Sequence, residues 1–284
     1  MVSMPNYTWY ILLSLIALII LFSTFIFKNH EFKRVLSVYF FISGLSFILD
    51  FIILICFNAY AYTPGVFDLK WLDNVFGSFT SQGLAVPSAA VFLAAFQLNW
   101  VWIFIVTAVL AGAELTFLHM DIYHHYWWST IYTALLLPVG FRLARVWYTS
   151  MLVPKKAAMV LTIYLGLNTY AHSLKFFMVS LSSSHYYRIG VFEDPIRDSI
   201  FGNSIYLFFI TILMALVIVF YFKWYWGLLL VLLECGFTYM LVKSGIMVLG
   251  PQWHPVYFCL LFAVTLLLFR WIYIKIFVSE PFFI

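Results

Sequence analysis

Charge is what this chain has least of. Only 9% of its 284 residues are Asp, Glu, Lys or Arg, while 65% are apolar, and the mean hydropathy is +1.02. A soluble domain of that length could not cover so much apolar surface, so lipid is the expected solvent for most of the chain. The formal net charge of +4 is modest. Basic clusters in polar surroundings are missing, which argues against nucleic acid as a partner. Cysteine is scarce too: Cys56, Cys235 and Cys259 lie in or at the ends of apolar runs. They form neither a C-x-x-C pair nor an even-numbered framework, and they read as small apolar packing residues. No Lys or Arg precedes Lys28, so the first apolar run is expected to be a retained span and not a signal peptide. Phosphate-cradling glycine loops, nucleophile elbows and carboxylate-rich diphosphate motifs are absent from the sequence, which weighs against an enzyme.

What the chain does have is one stretch used twice. Residues 65–77 read GVFDLKWLDNVFG and residues 190–202 read GVFEDPIRDSIFG, with six of thirteen positions identical. The offset is 125 residues, and it also matches Tyr39 with Tyr164, Tyr62 with Tyr187, Trp128 with Trp253 and Arg145 with Arg270. A period held over this length indicates an internal duplication in a single gapless register.

Nine apolar segments are long enough to cross a bilayer, at about 20 residues each. They fall near 8–27, 36–59, 80–98, 100–119, 127–147, 157–180, 203–222, 225–247 and 255–277. In the third, Ser81, Gln82, Pro87 and Ser88 interrupt the pattern. A kinked full crossing is expected there, with neighbours satisfying the carbonyl that proline frees, and a re-entrant segment is the alternative. With strict alternation, ten Lys and Arg residues fall on one side and only Lys70, Arg188 and Arg197 on the other. The positive-inside rule then puts the N-terminus outside and the C-terminus in the cytoplasm. The expected fold is an all-α polytopic membrane protein with about nine transmembrane helices. It comprises one extra span (1–30) followed by two parallel four-helix repeats (31–155 and 156–284). The duplicated stretch would form a structured cap outside each repeat.

Few ionisable groups lie inside the spans, so each is a candidate. Asp50 and Lys175 occupy equivalent positions in the two copies and could neutralise one another at the repeat interface, as a static pair or as a gate. His172 stands three residues before Lys175 on one helical face. Glu114 and Glu234 are not equivalent in the 125-residue register, and each could bind a proton or cation or be a hydrogen-bonded core residue. His119, Asp121, His124 and His125 form the densest polar cluster, and His and carboxylate side chains are ordinary zinc or iron ligands. The alternative there is an aromatic belt of Tyr123, Tyr126, Trp127 and Trp128 at the headgroup boundary. Arg145 and Arg270 could hold lipid phosphate or simply anchor the chain.

Across Glu114, His124-x3-Trp128-x3-Tyr132 and Pro138-x3-Arg142 the sequence resembles small multi-pass membrane proteins of spore-forming Firmicutes, which have no assigned activity. The resemblance covers the first repeat and implies a bacterial plasma membrane. Separately, the H-x4-H-H spacing resembles the His boxes of membrane desaturases and hydroxylases, although those carry several boxes on the cytoplasmic side. Three functions are therefore open. The first is transport or binding of a small ion, solute or lipid at the repeat interface, through Asp50, Lys175, His172, Glu114 and Glu234. The second is a metal-dependent enzyme acting on a lipid through the histidine cluster. The third is a structural or signalling component that docks a protein partner through its outer loops.

Overall fold

The computed structural model describes residues 4–220 and 223–278; the last two residues of the segment expected at 203–222 lie outside that set. Two compact units divide the chain, Met1–Pro154 and Lys155–Ile284. The first holds α1 (Asn6–Phe27), α2 (Phe32–Asp50), α3 (Lys70–Ser78), α4 (Val86–Ala95), α5 (Trp100–His119) and α6 (Thr130–Ser150), with strands β1 (Tyr60–Tyr62) and β2 (Tyr123–His125). The second holds α7 (Lys156–Ser182), α8 (Pro195–Val219), α9 (Trp224–Lys243) and α10 (Pro255–Ile272), with strands β3 (His185–Tyr187) and β4 (Met247–Leu249). Helix α1, expected as an extra span, is part of the first unit: its Tyr10 is fully buried and donates its hydroxyl to the Ile122 carbonyl.

Seven helical stretches are long and apolar enough to cross a membrane among the described residues: α1, Asn29–Cys56, Lys70–Ala95, α5, α8, α9 and Pro255–Val278. Nine are expected from the sequence. The two that fall short, α6 and α7, are long but more polar; α7 alone carries Thr162, Asn168, Thr169, His172 and Ser173. Apolar side chains also point outward. On α6, Ile131, Leu135 and Val139 are all more than half exposed, as are Leu232 and Leu233 on α9. Faces of this kind are what a lipid environment covers.

Side chains and prolines set the helix starts. Asn99 caps α5, its Oδ1 accepting from the Val101 and Trp102 amides, and Asp194 caps α8 with Pro195 in the first turn. Ser129 and His254 cap α6 and α10. Such caps satisfy amide groups that a helix start leaves open. The third expected segment is one unbroken helical path, Lys70–Ala95, widened to a π-helix over Phe79–Ala85 just before Pro87. Proline cannot donate to the carbonyl four residues back. That carbonyl belongs to Gly83, and it accepts from the Tyr39 hydroxyl at 3.2 Å. At the other end of the first unit, Arg34 meets Glu31 and lies over the Tyr148 ring, whose hydroxyl donates to the same Glu31. Arg145 donates to the Leu98 carbonyl just beyond α4, and Arg270 to the Ile218 carbonyl in the last turn of α8. Both arginines thus serve carbonyls at helix ends.

The stretch that occurs twice folds the same way each time. Gly65 and Gly190 take positive φ angles, +72° and +81°, which let the following amides converge on one carboxylate. Asp73 accepts from the amides of Gly65, Val66 and Phe67 at 2.7–3.1 Å. Asp198 accepts from Ile189, Gly190, Val191 and Phe192 over the same range. The next residue ties the strand down: Asn74 Oδ1 accepts from the Tyr62 amide and Ser199 Oγ from the Tyr187 amide. Gly77 lets strand and helix touch, since a Cβ there would stand 2.3 Å from Tyr62 Cβ. Gly77→Ala must push α3 off β1, and overpacking of this kind costs about 1–3 kcal/mol. Denaturation of the reconstituted protein is expected to show that loss, with Gly112→Ala, where a Cβ meets nothing within 4 Å, as the silent control.

One expectation needs correcting. Helices α5 and α9 start at Trp100 and Trp224, and β2 and β4 at Tyr123 and Met247, both 124 residues apart. The 125-residue offset resumes at α6 and α10, which start at Thr130 and Pro255. The register is therefore not gapless: one residue is lost before α9 and regained after β4.

Candidate functional site

The cap just described positions three tyrosines. In the antiparallel pairing of β1 with β2, Tyr62 lies opposite Tyr123 and Tyr60 opposite His125. Strand periodicity of two puts Tyr60 and Tyr62 on one face of β1 and sends His124 to the opposite face of β2 from Tyr123 and His125. The Ala59 carbonyl gathers the amides of Tyr126, Trp127 and Trp128, turning Trp128 back toward Tyr60, with ring centroids 5.6 Å apart. Tyr62 and Tyr123 stack at 4.5 Å.

Beneath these rings the first unit encloses a cavity of about 190 Å³, several times the roughly 30 Å³ that a water molecule takes in the liquid. Two carboxylates line it, Asp50 and Glu114. Asp50 ends α2 where the chain widens into the π-helical turn Phe51–Cys56, a distortion found often at functional sites. Its Oδ1 accepts from the Tyr60 hydroxyl and its Oδ2 from the Ser78 hydroxyl, both at 2.7 Å. Glu114 Oε1 meets His125 Nε2 at 2.8 Å and accepts from the Thr130 hydroxyl at 3.2 Å. Among the described residues no hydrogen bond reaches Glu114 Oε2. Away from the carboxylates the lining is aliphatic, with Leu13, Leu45, Leu110, Leu136 and Leu137. Two acidic groups, aromatic faces and an oily body together suit a small cation carrying apolar substituents.

The second unit arranges its charges differently. Lys175 Nζ sits 4.2 Å from the centroid of Phe258 and 5.9 Å from that of Tyr206, within the field of Glu234. Glu234 is 3% exposed; its Oε1 accepts from the hydroxyls of Tyr206, at 2.6 Å, and Thr238, at 2.8 Å. His172 Nδ1 bonds back to the Asn168 carbonyl of its own helix at 2.9 Å. Asp50 and Lys175, expected to answer one another, each have partners inside their own unit.

The sequence does not single out His185. This buried histidine lies between the rings of Tyr187 and Phe258, with Nδ1 2.8 Å from Ser184 Oγ. Burial first, and the Lys175 ammonium second, hold its imidazole well below the ordinary value. Its only sequence signal is that it stands where the copied register puts Tyr60.

The expected metal cluster does not assemble. His119, Asp121 and His124 are exposed, and His125 is engaged with Glu114. Strand geometry turns His124 away from His125. Among the described residues, three metal-ligating side chains gather elsewhere, at Glu234, Cys235 and Cys259, with ligand atoms mutually within 4.8 Å. No protein-family model, curated protein or solved structure matches the chain.

Proposed function

We propose that the chain is a multi-pass membrane protein built from two copies of one unit, and that the first copy binds a small organic cation with an apolar body. All nine long helices cross the bilayer in this reading, with the two strand pairs outside and the C-terminus in the cytoplasm, in a bacterial plasma membrane. The bias of Lys and Arg, ten on the cytoplasmic side against Lys70, Arg188, Arg197 and Lys243 on the other, supports that orientation.

The observation that carries the binding reading is the ammonium of Lys175. In the register corrected for one residue, Lys175 corresponds to Asp50, Tyr206 to Ser81, Phe258 to Thr133 and Glu234 to Leu110. All four first-copy residues line the cavity. Two large rings and a tethered ammonium thus stand in the second copy where the first has small side chains and empty space. Glu114 corresponds to Thr238, one helical turn from Glu234 on the same face, so the acidic group has shifted by a turn. What the second copy supplies covalently, a cation held on aromatic faces beside a carboxylate, the first copy is shaped to take from outside.

Benzyltrimethylammonium is a suitable probe, with its neutral carbon isostere neopentylbenzene as the comparison. Quenching of tryptophan fluorescence in protein reconstituted into nanodiscs is expected to saturate with the cation and not with the isostere. Glu114→Gln should weaken binding at least tenfold, about 1.4 kcal/mol. Equal binding of both probes, or affinity untouched by Glu114→Gln, rules the reading out.

A further inference from the structure

The three cysteines look at first like apolar filler, yet two of them are brought together across α9 and α10. Cys235 follows Glu234 on α9, Cys259 lies in the second turn of α10, and their sulfurs and a Glu234 oxygen lie within 4.8 Å of one another. Both thiols are half-buried.

A second, independent feature points to a ligand. Glu234 Oε1 is used by Tyr206 and Thr238, but its Oε2 is buried with no hydrogen-bond partner. Carboxylate oxygens left open in the interior are costly, and a metal ion is one of the few partners that satisfies such an atom without adding a side chain. We propose that Glu234, Cys235 and Cys259 form a binding site for a thiophilic divalent cation, Zn(II) in class. Thiolate sulfur selects soft and borderline ions over Mg(II) and Ca(II). Three protein ligands leave one tetrahedral position open, as in sites that exchange water or a ligand at the metal.

Charge balance favours a divalent over a monovalent ion. Binding releases the two thiol protons to solvent, leaving two thiolates and one carboxylate around the metal. A divalent ion reduces that to a single negative charge, and the Lys175 ammonium, already in the field of Glu234, cancels the remainder. The site lies wholly in the second unit and does not depend on the cation site of the first.

Full-length protein in detergent, stripped of metal and reduced, would be titrated with Co(II) and then Zn(II). One Co(II) per chain is expected, with a thiolate-to-cobalt charge-transfer absorption that one equivalent of Zn(II) abolishes. Cys235→Ser and Cys259→Ser should each remove the absorption and Cys56→Ser should leave it; Glu234→Gln should retain it and weaken Zn(II) at least tenfold. A readout that needs no variant is maleimide labelling of the wild-type chain, in which Zn(II) should protect Cys235 and Cys259 but not Cys56. Absence of the absorption in protein with intact helical circular dichroism overturns the proposal. So does its survival in either serine variant, or labelling of all three thiols at the same rate with and without Zn(II).

Discussion

Asp198→Ala is expected to destabilise the second unit by about 2–4 kcal/mol, and Asp73→Ala to do the same to the first. The Asp198 carboxylate accepts four backbone amides and Asp73 three. Alanine offers none. An amide left without a partner in the interior costs about 1–3 kcal/mol, so the full sum would exceed the estimate. Gly65, Val66, Gly190 and Val191 are exposed, however, and water takes over part of the lost bonding. The loss does not stop at the loop. Asn74 and Ser199 hold the adjoining strands, so releasing the carboxylate also frees the tyrosines those strands carry. Asp68→Ala and Glu193→Ala are the controls, because both side chains lie in the same stretch and are exposed. Thermal and denaturant unfolding followed by circular dichroism would separate the two classes. Equal shifts for Asp198→Ala and Glu193→Ala would mean that the carboxylate does not organise the cap.

This motif was the most legible feature of the sequence, because its chemistry is local: glycine for positive φ, a carboxylate eight residues on, and a hydroxyl or amide side chain next to it. The helices were legible for a similar reason, since apolar runs report directly on them. Two things were hidden. Single-residue shifts between copies, as at α5 and α9, leave no mark in apolar helices where many residues look alike. That concealed the proposed correspondence of Glu114 with Thr238. The cavity was hidden because absence of volume is not a motif. Ser81 and Thr133 attract notice only once Tyr206 and Phe258 are set beside them. The histidine cluster misled for a third reason. The run crosses the end of α5, a turn and β2, where neighbours alternate, so a run of ligand types became one partner of Glu114 and several solvated side chains.

Asp50 gives the prediction with the largest effect on binding, because its replacement can be combined with changes that fill the cavity. Asp50→Ala alone strands the Tyr60 and Ser78 hydroxyls, each bonded to one carboxylate oxygen, and should cost about 2–4 kcal/mol of stability. That result would mix structure with function. Copying the second unit's solution into the first separates the two, with Asp50→Ala as the measure of the structural cost: Asp50→Lys combined with Ser81→Tyr and Thr133→Phe places an ammonium and two rings where the cavity is. Glu114 remains to face the new ammonium and the added side chains fill space that is otherwise empty, but the Tyr60 and Ser78 hydroxyls still lose their acceptor, so stability should fall by about as much as in Asp50→Ala, about 2–4 kcal/mol. Binding of benzyltrimethylammonium should then fall by more than a hundredfold, since the tethered cation occupies the site and the volume is gone. Retained affinity in this folded triple variant would place the cation elsewhere. Loss of both affinity and fold would show that the two units do not share one packing scheme, and would remove the comparison from which the first unit's ligand was inferred.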